Sequence, residues 1–292
     1  HSGDSACVIP SVHISRENVE TIKEYTRKIA EEMHVQGLMN MQYAIENGKV
    51  FVLEANPRAS RTVPLVSKVC NVRMVPIATE IITRELTGKE SPVPALEEKV
   101  IPYYGVKEAA FPFNMFPEVD PLLGPEMRST GEVLGLSESY GEAFYKAQEA
   151  VQSKLPLSGT VLISVNRKDK AEVVEVAKLF HENNFRIIAT EGTCQLINEA
   201  GIPAEKVKKL CEGRPNVLDE ITNGKVDIIV NSPVGKDSVY DDSYLRKAAI
   251  KGRIPYCTTM AAAMAAATGI HAVNNLDGGK IASLQELHSR IK

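Results

Sequence analysis

Apolar Met39, Met41, Tyr43 and Ile45 alternate with polar Asn40 and Gln42 across residues 38–45. A period of two predicts a strand buried on one face. Glu46-Asn47-Gly48-Lys49 follows as a strong hairpin signal, and Val50-Phe51-Val52-Leu53-Glu54 returns as a second strand. Hydrophobicity alone does not say which face of that return strand is buried, so register decides. A two-residue loop at Asn47-Gly48 pairs Gln42 with Leu53 and sends Glu54 to the opposite face. A three-residue loop, Glu46-Asn47-Gly48 with a left-handed Gly48 in a bulge, pairs Gln42 with Val52 instead. Gln42, Glu54 and Asn56 then share one face, while Phe51 and Leu53 join Met41, Tyr43 and Ile45 on an apolar one. That consistency selects the three-residue loop.

Upstream, Ser15-Arg16-Glu17-Asn18 opens a helix through about Met33, with Ser15 or Asn18 as its cap. Residues 63–86 read as mainly helical after Pro64, ending near Gly88. Prolines at 92, 94, 102, 112 and 117 speak against a continuous regular element over 91–115. Residues 139–152 are helical, and Pro156-Leu157-Ser158-Gly159 reads as a linker between domains at 1–154 and 155–292. Beyond it strands at 160–165, 186–190, 207–210, 226–231 and 255–257 alternate with helices at 169–184, 193–200, 216–223, 244–251 and 259–267. Such alternation predicts an α/β domain, a doubly wound parallel sheet with helices on both faces.

With 292 residues, 43% hydrophobic, the chain can bury a sizeable core. Lys+Arg 34 against Asp+Glu 37 argues against a general nucleic-acid surface. Cysteines at 7, 70, 194, 211 and 257 lack metal-knuckle or redox-pair spacing, which fits a reducing cytoplasm. Residues 261–267 are apolar but too short to span a bilayer, and no signal peptide is evident. Histidines are too scattered for a ligand cluster, and neither a G-x-S-x-G elbow nor a G-x-x-x-x-G-K-[ST] loop occurs.

Two sets of polar residues remain. Glu54, Gln42 and Asn56 offer hard oxygens with Arg58 and Arg61 close behind, the ligand chemistry magnesium takes when it is shared with phosphates. A solvated strand face followed by a proline-terminated loop accounts for the same residues. Ser164, Thr190 with Thr193, Asn231 with Ser232, and Thr258 with Thr259 stand at the carboxyl ends of the later strands, where open parallel sheets bind ligands. Lys170 and Lys209 add charge there, and Thr190-Glu191-Gly192-Thr193 leads into a helix whose N-terminus favours an anion. Ordinary helix capping is the alternative.

Longer motifs decide between these readings. His1-Ser2-Gly3-Asp4-Ser5, Gly37-Leu38-Met39-Asn40-Met41-Gln42 and the run Glu54-Ala55-Asn56-Pro57-Arg58-Ala59-Ser60-Arg61-Thr62-Val63-Pro64 resemble the ATP-grasp domain. Pro121-Leu122-Leu123-Gly124-Pro125-Glu126-Met127-Arg128-Ser129-Thr130-Gly131-Glu132-Val133 narrows the resemblance to bacterial carbamoyl-phosphate synthase large subunits, over essentially the whole chain. The fold it implies is the C-terminal part of an α+β ATP-grasp domain followed by a methylglyoxal-synthase-like domain.

The resemblance implies that carbamate is phosphorylated with MgATP, Arg58 and Arg61 steadying the acceptor or transferred phosphoryl. It assigns His1, Ser2, Gln42 and Glu54 to the nucleotide, and Gln42, Glu54 and Asn56 to Mg2+ or Mn2+. It also implies a nucleotide effector site, inhibited by UMP and activated by IMP, at Ser164, Lys170, Thr190, Thr193, Lys209 and Asn231. Ornithine, a second effector, falls to Asp4, Glu108 and Thr258. Ser232-Pro233 departs from the two threonines of well-known bacterial members, and a proline offers a phosphate neither hydroxyl nor N–H, so nucleotide control is expected to be weaker or altered.

The chain starts at His1 inside a motif and is expected to be a fragment, inactive without the remainder of the large subunit. A glutamine-hydrolysing small subunit and oligomer formation are further expectations, with no nucleic acid and no membrane. Another ATP-grasp ligase, a purely regulatory small-molecule-binding module, and methylglyoxal formation by the second domain are the alternatives.

Overall fold

The computed structural model describes residues 3–88, 96–116, 119, 121, 123–124, 126–232, 239–275 and 281–292. In chain order the first elements are β1 (Cys7–Ile9), α1 (Arg16–Glu32), β2 (Asn40–Glu46), β3 (Lys49–Asn56), α2 (Thr62–Cys70) and α3 (Met74–Thr87). Next come β4 (Tyr104–Ala110), β5 (Gly131–Ser137), α4 (Tyr140–Ala150), β6 (Gly159–Ser164), α5 (Val173–Glu182), β7 (Phe185–Thr190) and α6 (Glu191–Glu199). The last are β8 (Ala204–Val207), α7 (Val217–Thr222), β9 (Ile228–Asn231), α8 (Val239–Gly252), β10 (Tyr256–Cys257), α9 (Met260–Asn274) and α10 (Leu284–His288). These fold into two compact units, one of Gly3–Cys7 with Val106–Ile281 and a smaller one of Val8–Gly105 with Ala282–Lys292.

In the smaller unit α1 begins at Ser15, whose hydroxyl accepts the Asn18 N–H at 3.2 Å and satisfies one of the amides a helix start leaves unpaired. Thr26 Oγ1 of α1 and the Tyr43 hydroxyl of β2 hydrogen-bond at 2.7 Å. The stretch that reads as mainly helical divides in two, because Asn71 takes a left-handed conformation (φ 51) and ends α2. Gly88 (φ 64) ends α3 in the same way. Val63, Leu65 and Val69 of α2 are buried, and the Tyr103 hydroxyl donates to the Val69 carbonyl at 2.7 Å. The chain's last residues also build this unit: Leu287 is buried, a His288 ring nitrogen meets the Lys68 carbonyl at 2.6 Å, and the Val100 N–H donates to the Lys292 carbonyl.

The proline-rich stretch has no continuous element among its described residues, but it does hold a short strand that its composition did not suggest. β4 runs between Pro102 and Pro112 and lies centrally in a three-stranded sheet of order β1-β4-β5. Both prolines fall outside the strand, where a missing N–H removes no ladder bond.

The five-stranded sheet of the larger unit has the order β10-β9-β6-β7-β8, with all four pairings parallel. Leu162, Ile188 and Ile229 on one face pack with Val217 and Ile221 of α7 and Leu245 and Ala249 of α8. Alternation sends Val161, Ile163, Ile187 and Ile228, each 2% exposed or less, to the other face. Burying each such side chain fully contributes about 1.5–3 kcal/mol. Strand order reverses between β6 and β9, which puts Ser164 opposite Asn231 at the switch.

Glycines set the contact distances around α4. A Cβ on Gly135 of β5 would stand 2.1 Å from the Ala143 carbonyl of α4, and one on Gly141 would stand 2.7 Å from the Thr268 carbonyl of α9. Backbone therefore lies directly on backbone at both places. Among the described residues no helix is long and apolar enough to cross a membrane.

Candidate functional site

Asn47 (φ 50) and Gly48 (φ 74) both have positive φ, the geometry of a two-residue type I′ turn. The ladder runs Glu46↔Lys49, Ile45↔Val50, Ala44↔Phe51 and Tyr43↔Val52, then skips Leu53 and resumes at Gln42↔Glu54, Met41↔Ala55 and Asn40↔Asn56. The three-residue loop is thus a misreading, and so is the company of Phe51 and Leu53 on the apolar face. Val50 and Val52 oppose Ile45 and Tyr43, and Phe51 opposes Ala44 on the polar face, 46% exposed. An extra residue was needed to face Glu54 toward Gln42, and it sits at Leu53 as a bulge rather than in the turn.

Gln42, Glu54 and Asn56 therefore share a face, with Asn40 opposite Asn56. Glu54 is exposed, whereas Asn56 Nδ2 is buried with no hydrogen-bond partner. An unpaired buried amide N–H is costly, and it is a donor that a phosphate oxygen, not a metal ion, could satisfy. Arg58 N donates to the Asn56 carbonyl at 2.8 Å, and its exposed guanidinium donates through Nη1 to the Ala59 carbonyl at 2.9 Å. Arg61 stands at the N-terminus of α2. His1 and Ser2 lie outside the described residues.

This donor set fits magnesium. The ion takes hard oxygens, commonly one or two carboxylates with phosphates and water completing its shell, and the Glu54 carboxylate and the Gln42 and Asn56 amide oxygens are of that kind. Among the described residues there is no group of three or more His, Cys, Asp or Glu able to hold a metal by themselves.

Asn40, Ser60 and Thr62 belong to this neighbourhood although the sequence reading did not single them out. Asn40 Nδ2 donates to Ser60 Oγ at 3.2 Å, and the Ser60 and Thr62 hydroxyls lie 2.6 Å apart. The signals were present: Asn40 is two residues before Gln42 on the polar face, and Ser60 stands just before a helix as capping residues do.

In the larger unit the strand ends draw several predicted residues together. Thr190 Oγ1 donates to Ser164 Oγ at 3.2 Å, Thr193 Oγ1 accepts the Val165 N–H at 3.5 Å, and Ser164 faces Asn231. Lys170 joins them at the start of α6, since a Cβ on Gly192 would stand 3.1 Å from its Nζ. Asn231 Nδ2 donates to the Tyr256 hydroxyl at 2.6 Å, a contact not anticipated from the sequence. Lys209 follows β8 at the sheet's edge, exposed, its N–H donating to Glu212 Oε2 at 2.9 Å. The Ser232 hydroxyl accepts from the Asn166 backbone and side-chain amides at 3.0 and 3.2 Å, while Pro233 lies outside the described residues.

Asp4 is buried and accepts the Ser129 N–H at 2.9 Å and the Arg128 N–H at 2.8 Å. Glu108 accepts the Ala109 N–H at 3.0 Å and the Gln148 amide at 2.6 Å. Burial raises the Glu108 carboxyl above the usual carboxylate range, outweighing these bonds and Lys107 beside it. Cys257, next to the exposed Thr258, is pushed up to about 12 by burial, with Glu108's charge adding to it. Asp4, Glu108 and Thr258 all lie in the larger unit, with Asp4 bound to the backbone at Arg128 and Ser129.

The family model "Carbamoyl-phosphate synthase L chain, ATP binding domain" matches residues 1–86, and "MGS-like domain" matches residues 172–258. The carbamoyl phosphate synthase large chain of Archaeoglobus fulgidus is 48% identical over 99% of this chain and 26% of its own length. The "Carbamoyl phosphate synthase large chain, C-terminal section" of Methanocaldococcus jannaschii is 46% identical over 100% of this chain and 48% of its own length. The first curated relatives are matched over only 25–26% of their length, so the chain spans about a quarter of them. A large chain of Methanosarcina barkeri is 42% identical over 100% of this chain and 73% of its own length. By that likeness the chain belongs to the carbamoyl phosphate synthase large chain family.

Proposed function

We propose that this chain is part of a glutamine-hydrolysing carbamoyl-phosphate synthase and carries metal and phosphoryl-binding residues for phosphorylation of carbamate by MgATP. The observation that carries this reading is the cross-strand pair Gln42 and Glu54, with Asn56 on the same face and two arginines in the loop behind it. Gln42, Glu54 and Asn56 would hold Mg2+ or Mn2+, and the ion would supply neutralisation of phosphate charge there. Arg58 and Arg61 steady the acceptor or the phosphoryl in transfer, and His1 and Ser2 complete the nucleotide's contacts. The chemistry is positioning and electrostatics, with no covalent intermediate on the protein.

By family likeness, residues 1–154 are proposed as the end of the ATP-grasp domain and 155–292 as the allosteric domain, a division different from that of the two compact units. Ser164, Lys170, Thr190, Thr193, Lys209 and Asn231 receive the phosphate of UMP or IMP. Two carboxylates, Asp4 and Glu108, with the Thr258 hydroxyl, match the two ammonium groups of ornithine. The partners are the remainder of the large subunit and a glutaminase small subunit in a cytoplasmic oligomer. Glu54→Gln in the assembled large chain tests the catalytic reading, because it keeps the shape and removes the single carboxylate. Carbamoyl phosphate formation should fall at least about 100-fold, the scale on which loss of a transition-state electrostatic contact is felt. Wild-type turnover in that variant would refute the assignment.

A further inference from the structure

We propose that Ser60 is a positioning residue, locking the basic loop to strand β2 through Asn40; this rests on the roles proposed for Asn56, Arg58 and Arg61. The loop is closed at both ends on one strand residue. At its start, Asn56 lies directly opposite Asn40 in the ladder. At its end, Ser60 Oγ accepts Asn40 Nδ2 at 3.2 Å, so the chain leaves Asn40's partner and four residues later returns to Asn40 itself. The same hydroxyl accepts the Thr62 N–H at 3.3 Å and meets Thr62 Oγ1 at 2.6 Å, while the Ser60 carbonyl accepts the Val63 N–H at 3.2 Å.

The Ser60 hydroxyl thus starts α2 and ties that start to the sheet. Arg61 has no side-chain capping bond of its own, so Ser60 performs this service for it. Arg58 sits inside the closed loop and Arg61 immediately after it. Apart from its bond to the Ala59 carbonyl in the same loop, the Arg58 side chain has no fixed partner in the sheet, and its aim depends on the backbone. A misplacement of about 1 Å can cost about 100-fold in rate. Ser60 touches no reacting atom on this account; it acts through the two arginines.

Steady-state kinetics of the full large chain with its glutaminase partner test this, using Ser60→Ala, Ser60→Thr and Arg58→Ala. Ser60→Ala should lower kcat about 10- to 100-fold with KM for MgATP within about twofold, since Gln42 and Glu54 are untouched. Ser60→Thr keeps the hydroxyl and should restore kcat to within about threefold of wild type. Wild-type kcat in Ser60→Ala, or equal loss in both Ser60 variants, overturns the proposal. If Ser60→Ala does not fold, Ser60→Cys, nearly the same size and a weaker acceptor, takes its place, and wild-type kcat there overturns it equally. Arg58→Ala separates the two layers: full activity in it sinks the catalytic reading and the clamp together, whereas loss there beside wild-type Ser60→Ala sinks the clamp alone.

Discussion

At Glu108 the carboxyl has two donors and a neighbouring lysine, and burial still dominates. Its folded pKa is raised above the unfolded value of about 4.3, so the native state holds its proton more tightly than the unfolded chain. Stability contributed by this residue therefore falls as pH rises from the ordinary carboxylate range through the raised folded pKa. Glu108→Gln should accordingly raise the melting temperature at pH 7 and lose that advantage below about pH 4, where the acid is neutral in both states. A gain that persists unchanged at low pH would show that ionisation is not its cause. Cysteine reactivity follows the same logic: Cys211 is exposed, whereas burial raises Cys257 to about 12. A thiol reagent at pH 8 should label Cys211 in the native protein and reach Cys257 only on unfolding. Periodicity and ligand chemistry made Gln42, Glu54 and Asn56 legible in the sequence. Glu108 was legible only by resemblance, because its burial comes from a strand that the surrounding prolines concealed.

The hairpin shows what an element's sequence can and cannot say. Facing Glu54 toward Gln42 requires one extra residue in the return strand, and chemistry on the polar face implied it. Asn47-Gly48 already satisfies a two-residue turn, so the surplus moved to Leu53. Nothing in Val50-Phe51-Val52-Leu53 marks that slip, because every side chain in it is apolar. Deleting Leu53 should regularise the ladder and keep Gln42 opposite Glu54; loss of cross-strand proton contacts between those two residues by NMR would contradict this. The prolines around β4 hide it in the sequence, although Pro102 and Pro112 both fall outside the strand. Helix packing gives a firmer expectation. A Cβ on Gly135 would meet backbone of α4 at 2.1 Å, and backbone cannot swing aside as a side chain can. Gly135→Ala should cost about 1–3 kcal/mol or more in chemical denaturation, and a neutral result would mean that β5 and α4 can separate freely.

For the whole molecule, the alternation beyond residue 159 was enough to foresee a parallel sheet flanked by helices, since its central strands β6, β7 and β9 are largely apolar runs. The interleaving of the two compact units was not foreseeable from local pattern. No periodicity announces that Ala282–Lys292 belongs with Val8–Gly105 rather than with the sheet it follows. Removing residues 282–292 takes away buried Leu287 and the contacts to Lys68 and Val100. Faster hydrogen exchange is expected in α2 and near Val100, with β6, β7 and β9 as protected as before; equal protection throughout would show that the segment is dispensable. The same threading imposes a timetable on synthesis. All five parallel strands leave the ribosome ahead of Ala282, so the 282–292 segment can join Val8–Gly105 only after the strands of the larger unit have been made. Translation arrested before Ala282 would leave the parallel strands already made, the smaller unit without buried Leu287 and α2 still without His288 against it.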